Sequence, residues 1–536
     1  MELRAPAFAA PALRQIPVLI AGLVIALPVA IVLVTGLAEG GGAAWEHIRD
    51  ILLLRYLMGT LSVLTLTAIL CLLMAVPAAW IVTMFRFPGR SVFEWLLVLP
   101  LAAPGYVLAY AWGDLAGVAG PLQSALRDAT GWSAREYWFP DISSLPGLAF
   151  VLACSLYPYV YLTARAAFIS QSVCTMEAAR SLGASPSRTF WSVALPAARP
   201  AIAAGLALAL MEAAADYGAA EFLGVPTLTY GIVRAWKSFG EPAAAARLAL
   251  VLLALILTFV IVERRARGRA GTQQSSIRWR QIARVTLTRP AAIGATALCA
   301  ALFLITFALP IGRLVWRSLE SSAQGTHIWD ALGNSLILAT AGASLSFILA
   351  LTIALSIRAK GPLATFARIA ASSGYAIPGA VLALGALAVI SKLPVTLSGL
   401  VALSALAWVY AARFTAAGTE PLAAVLARAP VSIGHAAQSL GATPLQRTLR
   451  VDLPIAMSGA AAAALVLFVE ALKELPATLM LRPFNWDTLS VRAYAYASDE
   501  RLAFAALPAL LITVAGLLPV LLLSWQMSRA RPGSDA

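Results

Sequence analysis

The chain has 536 residues, of which 60% are hydrophobic and only 12% are charged, and its mean hydropathy is +0.83. A soluble globular domain cannot bury that much apolar surface, so the composition excludes a water-soluble protein and predicts one that is embedded in a lipid bilayer. The net charge of +14 would suggest nucleic-acid binding in a soluble protein, but here the basic residues concentrate in alternate connections between apolar segments, so no nucleic-acid partner is expected.

Apolar stretches of about 20 residues, each long enough to cross a ~30 Å hydrocarbon core as a helix, recur along the chain. The first half has six, centred on Ile16–Leu37, Tyr56–Phe85, Phe93–Leu115, Leu148–Phe168, Ala201–Gly218 and Ala245–Val262. The second half has six more, centred on Ala292–Val315, Leu332–Ile357, Ala367–Ile390, Leu397–Ala417, Ala456–Leu479 and Phe504–Leu523. The predicted fold class is therefore an all-α polytopic membrane protein with about 12 transmembrane helices.

The basic residues indicate how the chain is oriented. If the N-terminus is cytoplasmic, a large group of arginines and one lysine falls on the cytoplasmic side, and both termini are then cytoplasmic. These residues are Arg4, Arg14, Arg86, Arg90, Arg180, Arg188, Arg264, Arg265, Arg267, Arg269, Arg358, Lys360, Arg447, Arg450, Arg529 and Arg531. A smaller group falls on the other side: Arg49, Arg55, Lys237 and Arg313.

Two further features concern processing and cross-linking. The first apolar segment has the charged flank of a signal peptide, but no small-residue cleavage site follows it, so we expect a retained span. The four cysteines lie in or beside apolar segments without paired spacing, and neither a disulfide framework nor a metal site is expected.

The sequence contains an internal duplication. The stretch EAARSLGASPSRTFWSVALP at Glu177–Pro196 returns as HAAQSLGATPLQRTLRVDLP at His435–Pro454, an offset of 258 residues. Upstream, the motif that starts at Pro104 matches the one that starts at Pro378 at an offset of 274, so the first half has about sixteen extra residues in an outer loop. Because each half has an even number of spans, the repeats are predicted to be parallel six-helix units with a pathway at their interface.

The duplication predicts three regions. The first transmembrane domain covers residues 1–263, an arginine-rich cytoplasmic linker covers 264–290, and the second transmembrane domain covers 291–536. The linker has no acidic residue, and its position next to the spans places it near anionic lipid headgroups.

Each repeated loop contains signals for two short helices. The first helix ends at a glycine, and a capping hydroxyl residue and a proline suited to the first turn of the next helix follow. These residues are Gly183, Ser185 and Pro186 in the first loop and Gly441, Thr443 and Pro444 in the second. Rigid elements placed twice at the cytoplasmic side predict docking of two soluble partner subunits, whereas the alternative is a helix hairpin that only packs between spans.

The first loop resembles the EAA loop of bacterial ABC-importer permeases in Glu177-Ala178-Ala179, Gly183 and Leu195-Pro196. The wider segment Tyr137–Arg267 is similar to the fused permeases of ferric-iron importers, and this resemblance extends over nearly the whole chain. It implies a multi-pass protein of the bacterial inner membrane that works with two copies of a cytoplasmic ABC ATPase and with a periplasmic substrate-binding protein. The partners, and not this chain, would bind ATP and Mg²⁺.

The same resemblance implies which residues couple the chain to the ATPases. In the first loop they are Glu177, Ala178, Ala179, Gly183, Pro186, Leu195 and Pro196. In the second they are His435, Ala436, Ala437, Gly441, Pro444, Leu453 and Pro454. The second loop lacks the acidic start of the family pattern, since His435 stands in its place, so the two loops are not expected to be equivalent.

Carboxylates occur inside the apolar segments at repeated positions. Glu212 and Asp216 are expected to share one face of the fifth span, and Glu470 with Glu474 repeats the arrangement. A charge at mid-span costs roughly 2.5–3.5 kcal/mol, so such residues usually face a cavity, a partner or a pathway. One hypothesis places these four acids and Tyr217 in the substrate pathway, where hard oxygen atoms suit a ferric ion.

The alternative is that these acids lie at the membrane interface or form ion pairs, with Lys473, Arg234 or Arg492 as candidate partners. Two other features are also open. Tyr157, Tyr159 and Tyr161 are expected to serve helix packing or an interfacial belt. Pro104 and Pro378, each followed by glycine, are expected to interrupt their spans, either as hinges or as simple kinks.

The sequence contains no phosphate-binding loop, so the chain is not expected to hydrolyse ATP or to bind a cofactor. Three other functions remain open. An ion-driven secondary transporter would share the duplication and the intramembrane acids, a membrane-bound enzyme would need a catalytic set that is not seen, and an importer of thiamine, a polyamine or an oxyanion would share the coupling loop.

Overall fold

The computed structural model describes residues 9–38, 42–170, 185–267, 284–320, 327–357, 361–391 and 399–529. Within these ranges the protein is almost entirely helical, because its apolar segments can satisfy their backbone groups in lipid only as helices. The α-helices of the first half are α1 (Ala9–Leu37), α2 (Gly42–His47), α3 (Leu53–Met84), α4 (Arg90–Leu96), α5 (Gly105–Ala116), α6 (Pro121–Thr130), α7 (Leu145–Ser170), α8 (Pro186–Thr189), α9 (Leu195–Ala215), α10 (Gly218–Phe222), α11 (Leu228–Lys237) and α12 (Pro242–Arg267).

The second half continues in the same way. Its α-helices are α13 (Arg289–Phe303), α14 (Leu309–Glu320), α15 (His327–Ile357), α16 (Pro362–Ala376), α17 (Gly379–Ile390), α18 (Gly399–Arg428), α19 (Val431–Ser439), α20 (Pro444–Arg447), α21 (Leu453–Met457), α22 (Ala460–Leu472), α23 (Pro476–Leu481), α24 (Leu489–Ser498) and α25 (Leu502–Arg529). Short π-helices lie at Ile48–Leu52, Phe190–Ala194, Leu304–Ala308 and Thr448–Asp452, and a 3₁₀-helix lies at Leu99–Ala102. Two short strands, β1 (Phe85–Arg86) and β2 (Val285–Thr286), pair in parallel.

The described residues contain nine helices that are long and apolar enough to cross a membrane, and twelve spans if each of three bent helix pairs counts as one. The predicted fold class is therefore confirmed. The bends explain why hydropathy alone finds twelve segments while only nine are continuous helices, since a window average does not register a break in the backbone.

Two of the bends occur at the repeated proline-glycine pairs. The helix axes turn by 97° before Gly105 and by 111° before Gly379. Pro104 and Pro378 have extended backbone, with ψ of 152° and 141°, and each directly precedes the first residue of the next helix. Proline has no N–H to continue the preceding helix and disfavours helical geometry in the residue before it. The predicted interruption is confirmed in both halves.

The chain folds into two compact units, each assembled from three stretches of sequence. The repeat-1 unit contains Leu52–Tyr230, Leu252–Ser322 and Tyr496–Ala536. The repeat-2 unit contains Met1–Ile51, Gly231–Val251 and Ala323–Ala495. The regions 1–263 and 291–536 stay a prediction about the duplication, because the compact units do not follow those boundaries.

In the repeat-2 unit, the first span packs against helices of the second repeat. Ile25 of α1 lies in one apolar cluster with Ile353 of α15 and Ala411 of α18. Pro28 cannot donate a hydrogen bond to Val24 O, and the indole N–H of Trp408 bonds to that oxygen at 2.8 Å instead. Pro28 thus leaves one carbonyl oxygen of α1 without its helical donor, and Trp408 of the second repeat supplies the missing hydrogen bond.

In the repeat-1 unit, α13 and α25 pack with helices of the first repeat. Thr296 Oγ1 of α13 donates to Pro88 O at 3.1 Å. Gly516 of α25 approaches the backbone at Ala102 so closely that a Cβ on it would lie 2.4 Å from Ala102 O. The predicted linker is partly structured at its ends, because α12 runs to Arg267 and α13 begins at Arg289, while residues 268–283 lie outside the described ranges.

Candidate functional site

The start of the first coupling loop, with Glu177, Ala178, Ala179 and Gly183, lies outside the described residues. The rest of the loop has the predicted helix start. Ser185 Oγ accepts the backbone N–H of Arg188 at 3.3 Å, and α8 begins at Pro186. The hydroxyl cap satisfies one of the free N–H groups at the start of the helix, and proline is tolerated in its first turn because it has no N–H to leave free.

The second coupling loop is described throughout, and its backbone follows the predicted signals. His435, Ala436 and Ala437 lie in α19, which ends before Gly441. Gly441 has φ of +82°, a left-handed conformation that glycine adopts without steric cost. Its N–H donates to Gln438 O, and the next N–H, of Ala442, donates to Ala437 O, each at 3.0 Å. This arrangement closes the helix as a glycine-ended cap does.

The next helix of that loop begins with a reciprocal cap. The backbone N–H of Thr443 donates to Gln446 Oε1 at 2.9 Å, and the N–H of Gln446 donates to Thr443 Oγ1 at 3.3 Å. This is the capping box expected from a threonine followed three residues later by glutamine. The predicted helix-turn-helix backbone of the second loop, including the start of α20 at Pro444, is therefore confirmed, while its role in coupling stays a prediction.

Both loops contain a π-helix at the same repeat position. Phe190–Ala194 and Thr448–Asp452 are 258 residues apart, the offset of the duplication. In each, the N–H of the following leucine, Leu195 or Leu453, bonds five residues back, to Phe190 O or Thr448 O. The prolines that come next, at positions 196 and 454, cannot donate a hydrogen bond, so the regular α-helical ladder is interrupted at this point and the wider turn accommodates the change.

The two loops are held by different contacts. Phe190 lies between aromatic rings of the spans, with its centroid 5.1 Å from that of Trp80 and 6.4 Å from that of Phe168. In the second loop, Arg447 lies against Gly434, where a Cβ would meet its guanidinium carbon at 2.7 Å, and it pairs with Asp452 at 3.6 Å. The first loop is thus seated by aromatic packing and the second by an ion pair.

Replacing Gly441 by alanine should weaken the second coupling loop. Alanine at φ of +82° costs on the order of 1 kcal/mol, so the end of α19 would fray and the docking element would be less ordered. We expect lower affinity for the ATPase subunit, measured by the amount that copurifies with the full chain in detergent. Gly312→Ala is the matched control, because a Cβ at Gly312 meets nothing within 4 Å. Equal copurification of both variants with wild type would contradict this role for the turn.

The first predicted acid pair does not share a helical face, and the prediction is wrong on this point. Helix α9 ends at Ala215, and Asp216 already has extended backbone with ψ of 121°. Its Oδ1 accepts the N–H of Ala219 at 2.7 Å, so the carboxylate caps α10. Helix α9 ends here because a carboxylate that caps the next helix competes with continuation of the present one. Glu212 lies one turn earlier on α9 and is half-buried.

The second acid pair departs from the prediction in the same way. Helix α22 ends at Leu472, so Glu474 lies beyond it rather than on one face with Glu470. The carboxylate of Glu474 accepts the N–H groups of Ala477 and Thr478, each at 3.1 Å, and therefore caps α23. Thr478 Oγ1 also donates to it at 3.1 Å.

Glu474 also forms a buried ion pair with a residue that was not among its predicted partners. Arg413 of α18 donates from Nη1 to Glu474 Oε1 at 3.0 Å, and only 1% of the Glu474 side chain is exposed. A single arginine in the middle of an apolar span was the available signal, because such a charge needs a nearby partner. At an offset of 258, Arg413 corresponds to Ser155.

In each unit the capping carboxylate lies against the proline-glycine break. A Cβ on Gly379 would be 2.2 Å from Glu474 Oε1, and one on Gly105 would be 2.7 Å from Asp216 Oδ2. Only glycine leaves room for the oxygen at these positions. The first residue of the half-helix that follows the break, α5 or α17, is therefore in contact with the acid that ends the fifth span of the same repeat.

Helix α7 supports the break in the repeat-1 unit. Ser155 Oγ donates to Ala103 O, and the hydroxyl of Tyr157 donates to Leu97 O, both at 2.8 Å. These carbonyls lie at the bent end of the third span, where regular helical partners are missing. Tyr157 thus has the packing role that was expected of it.

Two of the three candidate ion-pair partners, Lys473 and Arg492, contact different acids. Lys473 Nζ is 2.7 Å from Glu470 Oε1, as the ion-pair alternative predicts. Arg492 instead pairs with Asp487 at 3.1 Å, and Arg482 pairs with the same carboxylate at 2.5 Å. Among the described residues, no group of three or more histidine, cysteine, aspartate or glutamate side chains is placed to hold a metal ion.

Two further buried acids are paired in the repeat-1 unit. Glu94 of α4 contacts Arg165 of α7 and, at 3.2 Å, Arg90 of its own helix. Asp114 near the end of α5 accepts Arg313 Nε at 2.6 Å and Arg317 Nη2 at 2.7 Å. Arg313 is one of the basic residues that fall outside the cytoplasmic charge bias. Its acidic partner explains how it is accommodated at that position.

The chain is similar in sequence to known membrane transport proteins. Residues 64–268 match the family model of the binding-protein-dependent transport system inner membrane component. The chain is 26% identical over 459 residues to the Fe(3+)-transport system permease protein FbpB 2 of Haemophilus influenzae, covering 83% of this chain and 84% of that relative.

Two other relatives match shorter parts of the chain. The sulfate transport system permease protein CysT of Salmonella typhimurium is 30% identical over 193 residues, which is 34% of this chain and 66% of that protein. The molybdenum transport system permease protein ModB of Escherichia coli is 27% identical over 225 residues, or 40% and 94% respectively. Residues 64–268 therefore form a domain of the binding-protein-dependent transport system inner membrane component family, which supplies the permease subunits of ABC importers.

Proposed function

We propose that this permease subunit imports ferric iron delivered by a periplasmic binding protein. The observation that carries the proposal is the extent of the similarity. The Fe(3+)-transport relative aligns over 83% of the chain and thus over parts of both repeats, whereas the sulfate and molybdenum relatives align over 34% and 40%. A cargo-specific pathway needs both repeats, so the match that spans both is the more informative one.

Protein carboxylates already lie against the half-helix starts at the span breaks, which disfavours the use of these helix ends as an oxyanion site. The positive N-terminal end of a half-helix would attract an oxyanion. Here the first residues of α5 and α17 lie against the carboxylates of Asp216 and Glu474. These two acids hold the breaks in place, while Glu212 and Glu470 remain the proposed contacts for the cargo, with Tyr217 beside them.

The energy for transport comes from a partner. A binding-protein-dependent permease works with an ATPase and a periplasmic binding protein, and it is not itself an enzyme. We further propose two ATPase copies, one for each coupling loop, and cytoplasmic chain termini. ATP binding by the partners would draw the loops together and open the pathway outward, and phosphate release would reverse the change.

Two other functions compete with this proposal. An importer of thiamine, a polyamine or an oxyanion would share the coupling loops. The matches to sulfate and molybdenum permeases support the oxyanion alternative. A secondary transporter would need no ATPase, so uptake by this chain alone in liposomes, driven by a proton gradient, would exclude the importer.

Uptake by the assembled importer in proteoliposomes tests the cargo. The chain, its ATPase and its binding protein are reconstituted with ATP inside the vesicles, and uptake of radioactive ferric iron is measured. We expect ATP-dependent uptake that excess unlabelled ferric iron abolishes and that sulfate, molybdate, thiamine and spermidine leave unchanged. Uptake of labelled sulfate or molybdate without iron uptake would refute the iron proposal and favour an oxyanion importer.

Neutralising Glu212 and Glu470 together should abolish iron uptake. The double variant Glu212→Gln/Glu470→Gln removes two negative charges from the proposed pathway with little change in side-chain volume. Copurification with the ATPase should stay at the wild-type level, because neither residue lies in a coupling loop. Glu420→Gln is the matched control, since Glu420 is exposed on α18. Normal uptake by the double variant would exclude these acids from the pathway.

A further inference from the structure

Helix α6 has Gln123 turned inward and Leu122, Ala125 and Ala129 exposed. Gln123 is buried, and its Nε2 donates to Ala116 O, the last residue of α5, at 2.8 Å. Its Oε1 accepts the hydroxyl of Tyr137 at 2.8 Å, and Arg127 donates to the same hydroxyl at 2.9 Å. Through these bonds, α6 is fixed at the level where the third span ends.

The opposite face of α6 is apolar and exposed. Leu122, Ala125 and Ala129 lie on one side of the helix at spacings of three, four and seven residues, and all three are exposed. The segment that follows adds two exposed indoles. Trp132 stacks on Tyr137 with ring centroids 6.4 Å apart and is 48% exposed, and Trp138 is 86% exposed.

The neighbouring helix α14 points to what covers this face. Arg317 of α14 is bonded to Asp114, two residues before the end of α5, so the outer end of α14 lies beside the point where α6 begins. On α14, Trp316 and Leu319 are 59% and 76% exposed. This helix belongs to the candidate span Arg289–Glu320, whose apolar 18-residue window is only 22% buried, so much of that window is left for lipid to cover. The apolar face of α6 continues that lipid-facing surface.

We propose that the face of α6 formed by Leu122, Ala125 and Ala129, together with Trp132 and Trp138, is a membrane anchor that lies in the headgroup region of the bilayer. Its ligand is phospholipid. The apolar side chains enter the boundary between headgroups and acyl chains, typically by ~5–10 Å, and the indoles occupy the interfacial layer that tryptophan prefers. In the orientation proposed above, this is the periplasmic leaflet. The sixteen or so additional residues of the first repeat fall in this loop, so the anchor distinguishes the two halves.

Spin labels on two sides of α6 test the proposal. The full chain carrying Ala125→Cys is labelled with a nitroxide and reconstituted in vesicles of phosphatidylethanolamine and phosphatidylglycerol. Thr130→Cys is the matched control, because Thr130 is exposed on the same helix and lies about 140° around it from Ala125. The measurement compares collision of each label with oxygen, which concentrates in lipid, and with a water-soluble nickel chelate. We expect the oxygen-to-nickel ratio to be several-fold higher at position 125 than at 130.

Two results would overturn the lipid assignment. Equal ratios at both positions would place the apolar face in water. A label at position 125 that is accessible to the nickel chelate in vesicles, and becomes shielded only when the binding protein is added, would make this face a protein-docking surface instead. The pair Leu122→Cys and Ser124→Cys repeats the comparison one turn earlier, so that a local disturbance at one labelled site cannot produce the result.

Discussion

Replacing Gly379 by alanine is expected to destabilise the repeat-2 unit and to abolish import. The added Cβ would lie 2.2 Å from Glu474 Oε1 and 2.7 Å from Arg413 Nη1, so it cannot be accommodated without moving a buried ion pair. Overpacking of this kind typically costs about 1–3 kcal/mol, and displacement of the pair adds to that cost. The thermal midpoint of the full chain in detergent, followed by the monodisperse fraction, measures the loss.

The matched control is Gly333→Ala. A Cβ at Gly333 meets nothing within 4 Å, and alanine is the better helix former, so this variant should be as stable as wild type or slightly more stable. Gly105→Ala should have a smaller effect than Gly379→Ala, because its Cβ would be 2.7 Å from Asp216 Oδ2. A thermal midpoint of Gly379→Ala equal to that of Gly333→Ala would show that the carboxylate does not lie against the break.

Removing Arg413 should be among the most destabilising single changes in the chain. Arg413→Met leaves the Glu474 carboxylate, with 1% of its side chain exposed, without this countercharge. Losing one member of a buried ion pair typically costs about 3–5 kcal/mol, because the other charge stays desolvated. We expect a large drop in the thermal midpoint, and Arg413→Met/Glu474→Gln should recover much of it, because the glutamine carries no charge and can still accept the capping N–H groups.

A second ion pair provides the comparison for that experiment. Lys473 and Glu470 are 2.7 Å apart, with 21% and 15% of their side chains exposed, so Lys473→Met should cost less than Arg413→Met. A double-mutant cycle on Arg413 and Glu474 isolates the pairwise contribution. Equal stability of Arg413→Met and Lys473→Met would mean that burial of the first pair has no energetic consequence.

Features that depend on composition or on local backbone chemistry could be predicted from the sequence. Hydropathy identified the spans, the pairs Pro104-Gly105 and Pro378-Gly379 predicted the breaks, and Gly441 with Thr443 predicted the helix end and the cap of the second loop. In each case a few adjacent residues decide the outcome, because a missing N–H, a left-handed turn or a hydroxyl acceptor acts over one helical turn.

Features that depend on partners distant in sequence could not be predicted. Asp216 and Glu474 were placed on helical faces, because the apolar pattern continues past the residues where α9 and α22 end. Their true role depends on the next short helix, which their carboxylates cap, and for Glu474 on Arg413, which lies 61 residues earlier in the chain. Likewise, hydropathy shows that α1 spans the membrane without showing that its neighbours come from the second repeat.

Helix α1 packs against helices of the second repeat, and this has a consequence for how the protein is made. Helix α1 ends at Leu37, and its partner α16 begins at Pro362, so more than 300 residues must be synthesised between them. At ~5–20 residues per second, α1 waits in the bilayer for roughly 15–65 s before the second-repeat helices that it packs against emerge from the ribosome. During that interval Val24 O has no indole donor at the position that Pro28 leaves open, and the first span must persist in lipid without the helices of the second repeat.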